Sequence, residues 1–337
     1  MKFMRVPNRL FKVFNIRKCI LLFLLSGILY SCSVSEKWFF KEGGCLLWVN
    51  ELHKDSAIKN AIKGILDNSS VIIAQVPWKP KDSSFFYNTA WYYSLAKEHG
   101  KNFMIAIDWQ KLDRSGTNDN WSFSNEETAR LFKFDMLRLV NEYNPDYLNL
   151  GVEVNYYALT SSKGFKAFAS VYRELKNEIK KIKPEIKVGL SYQLELLYGH
   201  HRGWNESKTM GTLDNLLGDL DFLGISTYPN MITKQKTSNI FFSTQFIDSL
   251  TSKYSLPIGI SETAISSDLY NEDQRKTYVN TIFQKANDLN LKFVIWGSMI
   301  DDMGHNDWSD KTGLLTKDGQ AKIEFNVWKK ENLNFYK

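Results

Sequence analysis

Tyr147-Leu-Asn-Leu-Gly-Val-Glu153 is a short apolar run that ends in a single glutamate, and Pro257-Ile-Gly-Ile-Ser-Glu262 repeats the arrangement later in the chain. A stretch with helical spacing follows each. Continuous apolar runs of this length suit strands buried on both faces of a parallel sheet. A carboxylate emerging at the carboxyl end of such a strand stands where an α/β barrel builds its active site.

Outward from these two runs the same texture recurs. Strand candidates lie at 45–50, 70–76, 102–109, 147–153, 187–193, 221–228, 257–262 and 291–297, with helical stretches between them. That alternation is the pattern of repeated βα units. Residues 164–183 set Phe165, Phe168, Tyr172, Leu175, Ile179 and Ile182 on one apolar stripe, and Pro184 ends the helix. Residues 272–289 do the same with Tyr278, Val279, Ile282, Phe283 and Ala286. Ser56 is placed to cap the helix after the first strand. No G-x-G-x-x-G or G-x-x-x-x-G-K-[ST] loop follows that strand, which argues against an open doubly wound sheet. The expected fold is α/β, a single-domain (β/α)8 TIM barrel. The long loops 110–123, 196–210 and 301–317 each follow a strand, so they belong to the catalytic face.

The amino-terminal segment has a different character. Lys2, Arg5, Arg9, Lys12, Arg17 and Lys18 precede the apolar run 19–30, which is too short to span a bilayer and suits a signal-peptide core. The run leads into Leu29-Tyr30-Ser31-Cys32, which resembles the lipobox of bacterial lipoproteins and implies lipidation of Cys32. The expected organisation is a signal peptide over 1–31, a tether over 32–44 and a catalytic domain over 45–337. The expected location is the bacterial outer membrane, facing the periplasm or the cell surface and held by the lipid alone. The formal charge of +6 resides in the leader, which leaves a neutral body without the clustered basic surface that nucleic acid needs. Of three cysteines only Cys45 belongs to the body, so neither a disulfide nor a cysteine metal site is expected there. Aromatic residues make up 14% and include ten tryptophans; much of that is core material, but exposed tryptophan and tyrosine also suit the apolar faces of sugars.

With these residues in place, the chain resembles the clan of retaining (β/α)8 glycosidases, its endo-β-galactanase and β-mannanase branches above all. That clan carries an acid/base glutamate on strand 4 and a nucleophile glutamate on strand 7. The resemblance implies Glu153 as acid/base, Glu262 as nucleophile and Tyr228, in Asp221-Phe-Leu-Gly-Ile-Ser-Thr-Tyr228, as the tyrosine that orients the nucleophile. It also implies Trp296, in Phe293-Val-Ile-Trp296, as the floor of the cleavage subsite. The clan's acid/base follows an asparagine; here Val152 precedes Glu153, and Asn155 is the candidate to supply the missing hydrogen bond. Asp108 and Trp109, which end the third strand, and His200, His201 and Asp301, which follow later strands, are further substrate-binding candidates.

The chemistry explains the demand for two carboxyls. One must keep a proton near neutral pH to give to the leaving oxygen, and the other must be ionised to attack the anomeric carbon. The spacing of Asp301, Asp302, His305 and Asp307 matches no metal cage, so substrate hydrogen bonding is the better reading and no cofactor or metal is expected. No G-x-S-x-G or H-E-x-x-H motif occurs. The expected activity is retaining hydrolysis of a β-linked poly- or oligosaccharide by a monomer. The alternative is a glycan-binding lipoprotein on a degenerate glycosidase barrel, the reading that Val152 favours.

Overall fold

Eight short strands line up in parallel in the computed structural model, which describes residues 41–51, 53–204, 208–232 and 243–337. The strands are β1 (Glu42–Cys45), β2 (Val71–Pro77), β3 (Asn102–Asp108), β4 (Tyr147–Asn149), β5 (Lys187–Gln193), β6 (Phe222–Thr227), β7 (Ile258–Thr263) and β8 (Phe293–Trp296). The helices are α1 (Asp55–Asn68), α2 (Ser84–Glu98), α3 (Glu126–Tyr143), α4 (Val154–Thr160), α5 (Ser162–Ile182), α6 (Leu194–Leu197), α7 (Met210–Asp214), α8 (Thr244–Lys253), α9 (Glu272–Asp288) and α10 (Ile323–Tyr336). Hydrogen-bonded neighbours run β1-β8-β7-β6-β5-β4-β3-β2, and the seam between β1 and β2 is bridged. There Ser70 N donates to Gly43 O at 2.9 Å, and Gly43 N donates to Ser70 Oγ at 2.9 Å. The sheet is thus a nearly closed (β/α)8 barrel.

Alternate side chains of the strands point inward and meet as a cluster of their own: Val71, Ile73, Met104, Tyr147, Phe222, Phe293 and Ile295. Glycines make room for the large members of this layer. A Cβ on Gly259 would stand 2.5 Å from the Phe293 ring, and one on Gly189 would stand 2.4 Å from Phe222 O. The opposite faces of the strands bury against helices, as in α5, which turns Phe165, Phe168, Tyr172, Leu175 and Ile179 inward.

Two expectations need correction. The first strand is Glu42–Cys45, not 45–50, so residues assigned to the tether already belong to the barrel. Gly43 and Gly44 hid it, because a strand search looks for apolar side chains. The glycines are there because Asn332 Oδ1 lies 2.1 Å and Ile73 Cδ1 2.7 Å from where their Cβ atoms would be. Ser56 is not a cap, because α1 begins at Asp55 behind Lys54, whose side chain makes no capping bond. Cys32 and the expected leader lie outside the described residues.

Candidate active site

The chain reaches Glu153 by a turn packed tightly around Gly151. Strand-like bonding continues past β4, with Leu150 N donating to Gly189 O at 3.0 Å and Val152 N to Ile107 O at 3.1 Å. A Cβ on Gly151 would stand 2.4 Å from Val154 Cγ1. Glu153 then takes the left-handed conformation, with φ 50° and ψ 46°, and opens α4. That conformation is costly for a residue with a long side chain and persists only where the surroundings enforce it. Gln110 does so, its Nε2 donating to Val152 O (2.8 Å) and Glu153 O (3.1 Å), and Ser191 Oγ accepts from Glu153 N at 3.2 Å.

Glu262 comes directly from β7, register partner of Ser226 in β6. Partners in neighbouring strands stand about 4.8 Å apart. The Ser226 hydroxyl makes no hydrogen bond of good geometry among the described residues, yet it lies close enough to the Glu153 carboxylate to favour its ionised form. Ser226 therefore links the two acids in space. Tyr228, just past β6, donates its hydroxyl to Glu262 Oε1.

Arg114 completes the cluster. Residues 110–117 form a tight loop closed by the Gln110–Thr117 bridge, with Lys111 N donating to Gly116 O at 2.8 Å. Near its tip Arg114, with φ 60°, turns inward. Its Nη1 donates to Asp108 Oδ1 (2.7 Å) and Oδ2 (2.9 Å), and its Nε to Glu153 Oε2 (2.9 Å). Burial opposes the guanidinium charge, but the Asp108 and Glu153 carboxylates outweigh that and hold Arg114 firmly cationic.

The site thus gathers three acids, Asp108, Glu153 and Glu262, around one cation. Burial raises Glu153 above the ordinary carboxylate value; Arg114 opposes the rise and Asp108 adds to it. Burial also raises Glu262, the Glu153 charge raises it further, and the Tyr228 hydroxyl draws it back. Two facing carboxylates in a low-dielectric pocket cannot both ionise freely, so the pair keeps a proton where a solvated carboxylate would have lost it. Chemically this is an arrangement for moving a proton next to a fixed carboxylate.

Other candidates fall elsewhere. Asn155 is fully buried, its Nδ2 donating to Gln193 O (2.9 Å) and Thr209 Oγ1 (3.1 Å) while its Oδ1 accepts from Gln193 N (2.9 Å). It holds β5 to α4 and, with no exposed surface, presents nothing to a substrate. Trp296 is also fully buried, with Nε1 donating to Thr312 O at 3.1 Å, so it presents no face to a sugar. The aromatic ring against Tyr228 is instead the partly exposed Trp308, 5.5 Å away at 65°. Trp109 is core, donating to Leu150 O and packed edge-on to Tyr157 and Phe123. Asp301 is a structural acid that accepts from Lys322 Nζ (2.7 Å) and Gly313 N (2.9 Å). His201 pairs with the Tyr156 hydroxyl at 2.7 Å, and burial pushes its pKa down to about 4, leaving the ring neutral. His200 stacks on Phe246 at 5.2 Å. Asp302 pairs with Lys311, and Asp307 accepts from Ser309 N, so these acids shape their own loop.

Two residues escaped the sequence reading. Arg114 had no signal beyond its place in a long loop after a strand. Glu195 had the same signal as Glu153, a glutamate just past a buried strand. It is fully buried, and its Oε1 accepts from Thr227 Oγ1 (2.7 Å), Ser243 Oγ (2.5 Å) and Tyr228 N (3.2 Å). It positions the backbone of the tyrosine that serves Glu262.

In sequence the chain matches no family model and no curated protein. In structure it is similar to solved glycoside hydrolases. A variant of a GH5_18 protein from Bifidobacterium longum subsp. longum, in complex with Manβ1-4GlcNAc, superposes with TM-score 0.67 at 14% identity, over 88% of this chain and 78% of the other. A GH5_18 protein from Bifidobacterium longum subsp. infantis gives 0.65 at 12%, over 89% and 80%. An exo-β-1,4-mannosidase from an Opitutaceae bacterium gives 0.63 at 12%, over 88% of this chain and 60% of the larger enzyme. The barrel is therefore one this chain shares with glycoside hydrolases.

Proposed function

We propose that the protein is a retaining glycoside hydrolase acting on a β-linked oligo- or polysaccharide. The observation that carries this reading is the meeting of Glu153 and Glu262 at one mouth of the barrel, with the Tyr228 hydroxyl on Glu262. In the first step the Glu262 carboxylate attacks the anomeric carbon, the glycosidic C–O bond breaks, and Glu153 gives its proton to the leaving oxygen. In the second, water attacks the glycosyl ester, Glu153 takes the water proton, and Glu262 leaves as a carboxylate. Asp108 holds Arg114 by two bonds, so the guanidinium stays in the site whichever glutamate carries the shared proton. The Manβ1-4GlcNAc bound by a structurally similar barrel makes β-mannosides a reasonable first class of substrate.

Hydrolysis of a panel of β-mannans, β-galactans and β-glucans tests this, beside Glu262→Ala and Glu153→Ala. Activity on one glycan that both substitutions abolish supports the reading; undiminished activity in either variant sinks it. The second reading, glycan binding without cleavage, is favoured by the Arg114–Glu153 ion pair, which opposes the protonated state a general acid needs. Binding of a panel glycan that is never cut would select it. For the amino terminus we propose lipidation at Cys32 after removal of residues 1–31, supported by the lipobox-like sequence. Incorporation of a labelled fatty acid that Cys32→Ser abolishes tests that anchor.

A further inference from the structure

Arg114 is only partly used by its own protein. Its Nε and Nη1 are bound to Glu153 and Asp108, while Nη2, with two N–H groups, carries no hydrogen bond among the described residues. The side chain is 15% exposed although it lies between two acids. A guanidinium edge left open beside a reactive carboxylate is a donor pair waiting for an acceptor. Two strained backbones, at Arg114 and Glu153, meet across this one ion pair, and strain of that kind accumulates where a surrounding structure enforces a functional geometry.

The charge count decides which acceptor. Asp108, Glu153 and Glu262 face one arginine. Even with one proton retained, two carboxylates face the one cation, so a further anion would enter an already negative pocket. A neutral hydroxyl oxygen accepts from Nη2 without that penalty. We propose that Arg114 is a specificity-determining residue of the site, reading a hydroxyl of an uncharged sugar beside Glu153, while the surplus negative charge of the three acids turns uronic acid glycosides away. This rests on the glycoside reading of the Glu153–Glu262 pair. Val152 is buried, and both its backbone N and O are engaged, so it supplies no donor in that place.

The test compares the full-length protein with Arg114→Lys, which keeps the charge and loses the fork, and Arg114→Gln, which loses both. The probes are matched pairs of 4-nitrophenyl β-glycosides and β-glycosiduronic acids, scored by hydrolysis and by calorimetric binding. The unaltered protein should favour the neutral member of each pair by about tenfold or more. Losing a charged hydrogen bond should lower kcat/KM, or binding if nothing is cut, by about 10- to 100-fold in Arg114→Lys, with the shape of the pH profile kept. Equal or better use of the uronides overturns the inference, as does Arg114→Lys within twofold of the unaltered protein. Cleavage that ignores Arg114 removes this inference and leaves the hydrolase reading standing. Arg114-dependent binding without cleavage does the reverse. A protein that neither binds nor cuts any neutral probe overturns both.

Discussion

Glu42 at the amino-terminal end of the barrel and the Glu153–Glu262 pair at the carboxyl end are all glutamates at strand ends, yet the molecule treats them in opposite ways. Glu42 is 1% exposed and satisfied by neutral donors: Ser70 Oγ at 2.6 Å on one oxygen, Asn102 Nδ2 and the Tyr147 hydroxyl on the other. Burial lifts its carboxyl above the ordinary range, the neutral donors draw it back, and the Asp146 charge adds to the rise. It ties together β1, β3, β4 and the residue before β2. At the other end, Glu262 has one donor, a like-charged neighbour and a partly open side, and the arginine on Glu153 keeps a free edge. A strand-end position and burial are common to both ends. A like-charged neighbour is common to both as well, Asp146 for Glu42; what separates them is unspent bonding capacity.

Alanine scanning should separate the two ends most strongly. Glu262→Ala should lower kcat by about 10⁴-fold or more, and Glu153→Ala by about 10²- to 10⁴-fold, with melting temperatures unchanged or raised. Glu42→Ala should leave kcat intact and cost about 1–3 kcal/mol of stability, because Ser70, Asn102 and Tyr147 lose their acceptor. Steady-state kinetics beside denaturant unfolding reads both; a Glu42 variant that loses turnover at full stability would break the contrast.

Tyr228→Phe should act next, by about 10- to 100-fold in kcat/KM, the worth of one hydrogen bond to a charged group. Without that donor the Glu262 carboxyl rises further, so the limb of the pH–rate profile that needs it ionised moves to higher pH. A profile displaced to lower pH would contradict the tyrosine's place on Glu262.

The pair should also register in stability. Both carboxyls are raised above 4.5, so over the pH range above 4.5 the folded state holds protons that the unfolded chain releases. Their contribution is full below pH 4.5 and is lost as pH rises through neutrality. Glu262→Gln removes this term, so unfolding free energies at pH 5 and pH 8 should differ less than in the unaltered protein, by about 1–2 kcal/mol. An unchanged difference would mean that folding does not raise the Glu262 carboxyl.

The smallest effect is expected at the tryptophans. Trp308→Ala should raise KM by about 10-fold or less, as for one aromatic contact. Trp296→Phe should alter stability by about 1–2 kcal/mol with KM unchanged. The opposite pattern would restore Trp296 as the sugar platform.

The sequence shows much of this, unevenly. Seven strands, and the placing of Glu153 and Glu262 beyond or at the ends of two of them, were legible because apolar runs and lone acids after them are local patterns. Glu42–Cys45 was not, since its two glycines answer to Asn332 and Ile73, residues brought there only by folding. The burial of Trp296 and Asn155 was equally hidden, because whether a side chain faces a substrate or a neighbouring strand depends on partners such as Thr312 and Gln193. Arg114 belongs to the same class: its meaning lies in a loop that turns its tip onto Glu153.

The most direct test of the central claim is covalent trapping. The protein is incubated with 2-deoxy-2-fluoro β-glycosyl fluorides of the manno, gluco and galacto series, and its peptides are mapped by mass spectrometry. The account predicts one glycosyl adduct on the peptide carrying Glu262, absent from Glu262→Ala. An adduct on Glu153, or none from a protein that turns over the unfluorinated glycoside, would contradict it.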